Sequence, residues 1–438
     1  MFAPFVLLIS LIAATPVIIF VDVALVDGLV IAVVAMAVAL VGLTMRPGEF
    51  SYLLTILRLT AIFAAVAAIC IVLQLLPVKF IGLSHPIWDS AAEALGHPVR
   101  GSISVDTGAT LLALCRYVSV VAIIFLATAV AIDRQQAGWL LTALTIATTI
   151  IAVIVIGHEL GAFTSLNKNL GTDARDSIAL GTVLSTATAI RTFERRESRR
   201  RHAEISTAGF TFFLLASLFS FATCWIAISF NATGPLIFAI ICGLATLIIV
   251  VSIRRLGLGS WGCSAIIATA MVAVISIVVV HLPTRTTDLT LAFVTPGPLV
   301  SITGHILADG TWIGTGAGTF AALLPIYRDV DDLAASSAAP STAAAIAVEM
   351  GRPFLWTAVA VATAAAMFLL RGSLRRGRDS FYPAAGASCI VVLAVLSFIN
   401  AGLFGATTAI IAPAILGLAL AQSRSRVFND PRCGSAGK

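Results

Sequence analysis

The sequence predicts an all-α fold, a polytopic membrane helix bundle of about twelve transmembrane helices with a long, partly helical periplasmic loop. Three observations predict it. Of 438 residues, 59% are hydrophobic and only 11% charged, whereas a water-soluble domain carries about 25% charged residues. Apolar runs close to the roughly 20 residues that span a bilayer recur along the whole chain. Arginines gather between alternate runs, the pattern of loops held on the cytoplasmic side.

The chain opens with "MFAPFVLLISLIAATPVIIF", with no Lys or Arg ahead of the apolar run. A cleavable signal peptide starts basic, so the first helix, near 3–20, is read as retained. Helices then follow near 28–44, 59–76, 110–131, 137–156, 177–190, 207–229, 233–252, 262–281, 352–370, 383–400 and 403–421. Glycine and proline inside these runs do not interrupt them, because membrane helices tolerate both. Residues 1–281 thus carry helices one to nine, with outer loops near 77–109 and 157–176. Residues 282–351 form a large periplasmic loop, 352–421 carry helices ten to twelve, and 422–438 form a cytoplasmic tail. The large loop contains "LTLAFVTPGPLVSITGHIL" and "GTFAALLPIY". These are apolar enough to predict short helices lying on the membrane surface or packed on the bundle.

Orientation follows from charge. "RTFERRESRRRH" (191–202) carries six arginines, and "SIRRLG", "RGSLRRGRD" and "SRSRVFNDPR" add more. Twelve spans with both termini inside put all four segments on the cytoplasmic side. The net charge of +6 then reflects topology and anionic inner-leaflet lipid. A nucleic-acid partner is not required. Of the seven cysteines, none forms a C-x-x-C pair, and neither a disulfide framework nor a metal site is expected.

Polar groups concentrate in the outer segments, and Arg116 is the clear ionisable residue inside a span. Coupled transporters place Asp, Glu or His near the midplane, so their scarcity argues against an ion-driven pump. A site outside the membrane meets no ATP or nucleotide sugar, but a lipid carrier with an external diphosphate fits it. Arginine suits that group because its fork donates paired hydrogen bonds and keeps its charge. Arg285 and Arg328 are the first candidates to bind the diphosphate, with Arg175 and Lys168 next. In "GTGAGT", Gly314, Gly316 and Gly318 either offer backbone amides to an anion or make a tight turn between two surface helices. The pattern is not an ATP-binding P-loop. In "GHELGAFTSLNKNLG" (157–171), His158 or Glu159 is a candidate base, and His305 is a third. The acidic stretch "RDVDDL" reads as a solvated face.

Taken in order, several segments resemble the O-antigen ligase and O-antigen polymerase family of integral membrane glycosyltransferases with a GT-C-like arrangement. "SVDTGATLLALCRY" (104–117) looks like the opening of the family's fourth helix. "GAFTSLNKN" (161–169) is similar to its G-x-F-x-N-x-N outer motif, with an extra residue. "WIGTGAGTFAALLPIYR" (312–328) looks like its W/P-x-G-x-G-x-G-x-F motif, and "AVEMGRPFLW" (347–356) resembles its E-x-G. The resemblance implies transfer of a glycan from undecaprenyl diphosphate to a saccharide acceptor on lipid A core or on a growing polymer. It also implies a bacterial inner membrane with the site on its periplasmic face, arginines on the diphosphate, an assisting histidine and no cofactor or metal.

The sequence departs from that pattern at several places. Pro340, in "APS", stands where the family often has a histidine, and "SFNATG" (229–234) lacks the arginine of an S-R-x-G turn. An arginine usual ahead of the first outer motif is absent, and so is one before the glycine motif. Three readings therefore stand: a ligase- or polymerase-type enzyme of O-antigen or exopolysaccharide synthesis, a flippase or transporter of lipid-linked glycan, and a non-catalytic scaffold binding other polysaccharide assembly proteins.

Overall fold

The computed structural model describes residues 2–21, 23–77, 84–99, 101–162, 171–200, 207–230, 233–256, 290–291, 293–294, 297–328, 338–375 and 380–423. Its helices are α1 (Phe2–Ile18), α2 (Val23–Thr44), α3 (Pro47–Leu75), α4 (Ile87–Leu95), α5 (Thr107–Ala131), α6 (Arg134–Glu159), α7 (Thr172–Arg200) and α8 (Thr207–Phe230). Beyond these come α9 (Gly234–Leu256), α10 (Pro298–Asp309), α11 (Phe320–Tyr327), α12 (Thr342–Glu349), α13 (Arg352–Arg375), α14 (Phe381–Ile399) and α15 (Ala406–Ser423). Among the described residues nine helices are long and apolar enough to cross a membrane. The protein is an all-α, multi-pass membrane bundle.

Three of the twelve expected spans differ from those nine. The first, α1, is a shorter apolar helix. The span expected at 262–281 lies outside the described residues. The sixth is longer than its apolar stretch predicts: α7 runs from Thr172 to Arg200 and carries Asp173, Arg175, Asp176, Arg191 and Glu194. It is nevertheless the central helix, contacting α6, α8, α9, α14 and α15. Ile178, Leu180, Val183 and Leu184 are fully buried. Protein, not lipid, surrounds α7, and several of its hydroxyls bond its own backbone: Thr182 Oγ1 donates to Ala179 O at 2.7 Å and Ser185 Oγ to Thr182 O at 2.9 Å. Small residues let the neighbours close in, as membrane packing requires. A Cβ on Gly181 would stand 2.9 Å from Thr148 Cβ and 3.1 Å from Cys224 Sγ.

α3 begins twelve residues before the expected 59, because Pro47 at its first turn pre-sets the helical φ. The loop expected at 282–351 contains α10, α11 and α12, and the loop expected at 77–109 contains α4.

The two ends of the bundle differ. At one end Arg191 Nη1 donates to Gly138 O at 3.2 Å and stacks 6.0 Å from the rings of Phe381 and Tyr382. Arg254 there pairs with Glu194 at 2.9 Å and also bonds Ser380. At the other end α10, α11 and α12 form a cap with a small core of its own, including Leu291, Ile306, Phe320, Leu324 and Val348. Thr342 of α12 donates its backbone N–H to Asn400 O at 2.8 Å, and Asn400 Nδ2 donates to Asp176 Oδ1 at 2.8 Å. The chain leaves α9 at the arginine end and is next described in the cap, at the opposite end.

Candidate functional site

The cap is built around the glycine stretch. Gly314, Gly316 and Gly318 have φ of +84°, +112° and +77°, a region side chains rarely adopt. Space forbids a side chain as well: a Cβ on Gly314 would stand 2.3 Å from Glu349 O, and one on Gly316 2.5 Å from Ser104 Oγ. The turn therefore threads between α12 and the segment that leads into α5. Thr315 N–H donates to Val348 O at 3.1 Å, Gly316 N–H to Glu349 O at 3.0 Å, and Val105 N–H to Thr315 O at 2.9 Å.

Gln74, in the last turn of α3, ties this knot. Its Oε1 accepts from Ala317 N–H at 3.0 Å, while its Nε2 donates to Glu349 O at 3.0 Å and Ile313 O at 3.3 Å. Trp88 of α4 donates its Nε1–H to Ser104 O at 3.1 Å, which closes the outside of the knot. The turn does receive an acidic group, and that group belongs to the protein. The Glu349 carboxylate accepts from the amides of Gly318 and Phe320, the latter at 3.2 Å. Burial pushes the Glu349 carboxyl up to about 7, and those two amides pull it the other way. The amides of Thr315, Gly316, Ala317, Gly318 and Phe320 thus already have partners within the protein, although Gly318 itself lies exposed at the surface.

The other sequence candidates occupy two places. His305 is exposed on α10, and Arg328 follows the last residue of α11 and is half-buried. Arg352, which opens α13, donates Nη2 to Leu307 O of α10 at 3.4 Å. Tyr327, beside Arg328, has its phenol pushed up, first by burial and then by the charge and hydrogen bond of Asp309. The second place is the junction of α6 and α7. His158 and Glu159 are the last two residues of α6, and Arg175 lies in the first turn of α7 beside the buried Asp176. Lys168 and Arg285 lie outside the described residues.

α12 connects the two places. Its Ser341 cap accepts from Ala344 N–H at 3.1 Å, immediately after Pro340. Eight residues later, roughly 12 Å along the axis at 1.5 Å per residue, Glu349 enters the glycine turn. Near the first end of α12, Asp176 is wholly buried and its Oδ2 has no hydrogen-bond partner. Thr407 Oγ1 donates to Asp173 Oδ2 at 2.9 Å beside it.

Sequence reasoning did not single out Gln74 or Glu349 as site residues. The signal for Gln74 was a lone amide at the end of a 29-residue apolar helix. For Glu349 it was a carboxylate two residues before a glycine and a membrane span. Among the described residues no group of His, Cys, Asp and Glu is placed to hold a metal ion. The cap brings Arg328, Arg352 and the exposed imidazole of His305 to this end of the bundle, while the Glu349 carboxyl is taken up by the turn itself. Neither a family model nor a curated protein matches the chain.

Proposed function

We propose that the protein transfers or polymerises an undecaprenyl-diphosphate-linked glycan at the periplasmic face of a bacterial inner membrane, in O-antigen or exopolysaccharide synthesis. The observation that carries this reading is the separation of the bundle's two ends. Arg191 and Arg254 sit at one end, and the folded cap with Arg175, Arg328, Arg352 and His305 sits at the other. The positive-inside rule assigns the first end to the cytoplasm, so the cap faces out, where a lipid-linked diphosphate is available to arginine. The resemblance of 312–328 and 347–356 to the ligase and polymerase family supports the same chemistry. On this reading Arg328 and Arg175 bind the diphosphate, and His305, His158 or Glu159 takes the proton from the acceptor hydroxyl.

Deleting the protein is expected to shorten or abolish the surface polysaccharide. Unchanged polymer amount and chain length would overturn the reading. Topology is tested separately, by a cysteine placed at Ala308, exposed on α10 of the cap, in a cysteine-free background. A membrane-impermeant maleimide is expected to label it in intact spheroplasts, and labelling only after permeabilisation refutes an outward cap.

A second reading is supported by two observations: Pro340 stands where the resembling family often has histidine, and the glycine turn spends its amides on Glu349. On that reading the protein is a non-catalytic scaffold of a polysaccharide assembly complex. Arg175→Ala and Arg328→Ala would then leave polymer output intact while deletion abolishes it. Under the enzymatic reading each substitution lowers output more than about tenfold, since truncating a buried charge-assisted contact costs about 2–5 kcal/mol.

A further inference from the structure

The cap-side end of α7 carries more acceptors than donors. Asp173 and Asp176 are three residues apart at its start, so the two carboxylates are neighbours on one face. That face meets the connection from α14 to α15, whose middle is one short 3-10 turn, Gly402–Phe404. The packing admits no side chain there. A Cβ on Gly402 would collide with Asp176 Oδ2 and stand 2.8 Å from Thr172 O, and one on Gly405 would stand 2.7 Å from Asp173 Oδ2. Three oxygens of α7 thus press on one turn.

The donors around them are directed elsewhere. Asn400 Nδ2 donates to Asp176 Oδ1 at 2.8 Å. Thr407 Oγ1 donates to Asp173 Oδ2 at 2.9 Å, Thr408 Oγ1 to Asp173 O at 3.2 Å, and Ser177 Oγ to Thr407 Oγ1 at 3.2 Å. Ser177, Thr407 and Thr408 are buried along with Asp176. Asp176 is 0% exposed, and among the described residues nothing donates to its Oδ2. A buried carboxylate oxygen in that position is costly and calls for an ion or a proton. Arg175, beside Asp176 in the chain, sets one positive charge against the two carboxylates. Asp173 is only partly buried, which leaves a way in from the surface.

We propose that Thr172 O, Asp173, Asp176 and the Ser177 hydroxyl form a site for one monovalent alkali cation, where α7 meets the α14–α15 connection. Carboxylate, carbonyl and hydroxyl oxygens suit a hard cation. Breaks between membrane helices, lined by such oxygens, are places where Na⁺ binds. With two carboxylates and one of their charges offset, the site matches a single positive charge. The ion also braces the cap. Asn400 O accepts from Thr342 N–H at 2.8 Å and from Thr342 Oγ1 at 3.0 Å, so whatever fixes Asp176 against Asn400 fixes the seat of α12. Cation binding here is independent of the glycan reading and is tested apart from it.

Full-length protein in detergent is melted in sodium chloride or potassium chloride, each replaced stepwise by choline chloride at constant ionic strength. The alkali ion is expected to raise the melting temperature by several degrees and to saturate, as a ligand of the folded state does. It is also expected to slow proteolysis of the cap. Asp176→Asn keeps an acceptor for Asn400 and should raise the half-saturating concentration more than about tenfold. Asp173→Asn should raise it severalfold, while Asp89→Asn, exposed on α4, should leave it unchanged. Retention of radioactive sodium or rubidium by the wild-type protein needs no variant, and a single ion per chain is expected. If choline serves as well as the alkali ions, or if no ion is retained, Asp176 holds a proton instead and the proposal fails. It fails too if Asp176→Asn keeps the full alkali-ion response, because the ion then binds elsewhere. Stronger stabilisation by submillimolar calcium than by either alkali ion also overturns it.

Discussion

α3 and α7 are each 29 residues long and are built in opposite ways. α3 is strongly apolar, yet only 17% of its most apolar window is buried inside the protein. α7 is studded with charge and hydroxyls, yet it is enclosed by five neighbours. Lipid is as apolar as leucine, so a helix with large side chains gains little by leaving it. Helices that meet protein on all sides need small residues for close approach and local partners for most of their polar atoms. The two helices also hold the cap by different means. α3 reaches it through the single amide of Gln74, and α7 through Asp176 and Asn400.

The contrast can be broken most directly in the core. Leu180→Ala on α7 is expected to lower unfolding free energy by roughly 2–5 kcal/mol, whereas Leu54→Ala on α3, exposed to lipid, should change it by less than about 0.5 kcal/mol. Thermal melts of the two variants in one detergent check this, and equal losses would end the distinction.

Gln74→Ala comes next. It strips a partner from Ala317 N–H, Ile313 O and Glu349 O together, a loss of roughly 2–4 kcal/mol in cap docking. Limited proteolysis should then cut the 310–340 region faster, with the bundle melt little changed.

Glu349 sharpens the same anchor through pH. Its folded carboxyl is raised from 4.5 to about 7 by burial, so between those values the folded state binds more protons than the unfolded one. Cap stability is therefore full below pH 4.5 and declines as pH rises through about 7, by up to about 3 kcal/mol. Glu349→Gln is expected to flatten that dependence, read as cap proteolysis rate from pH 5 to pH 8.

The smallest effect belongs to the arginine end of α7. The Arg254–Glu194 pair is part-exposed, at 23% and 33%, and Arg254→Ala should cost under about 1 kcal/mol once solvent screening is counted. A salt titration of the melt checks it.

Composition and apolar run length made the bundle legible, because a bilayer demands about 20 apolar residues per crossing whatever the protein does. The short helices of the cap were legible too, from apolar stretches too short to span. α7 was only half legible: its apolar stretch ends near 190, but the helix runs on through charged residues to Arg200. The site was the least legible part. The glycines signalled a turn, but backbone spacing could not say whether the amides faced a ligand or Glu349, which lies 31 residues beyond Gly318 in the chain. Gln74, far earlier in sequence, gave no local hint of its three partners. Arg116 was visible as a charge inside a span, but Asp27 as its partner was not.

The sequence by itself determined a multi-pass helical membrane protein with a long structured segment between its late spans and arginines between alternate spans. These follow from transfer energies, which depend on each segment alone. Only the tertiary structure decided that α7 lies inside while α3 faces lipid, that the glycine turn closes on Glu349 and Gln74, and that Arg116 of α5 meets Asp27 of α2. Those outcomes depend on which surfaces meet across hundreds of residues, and no local pattern encodes that.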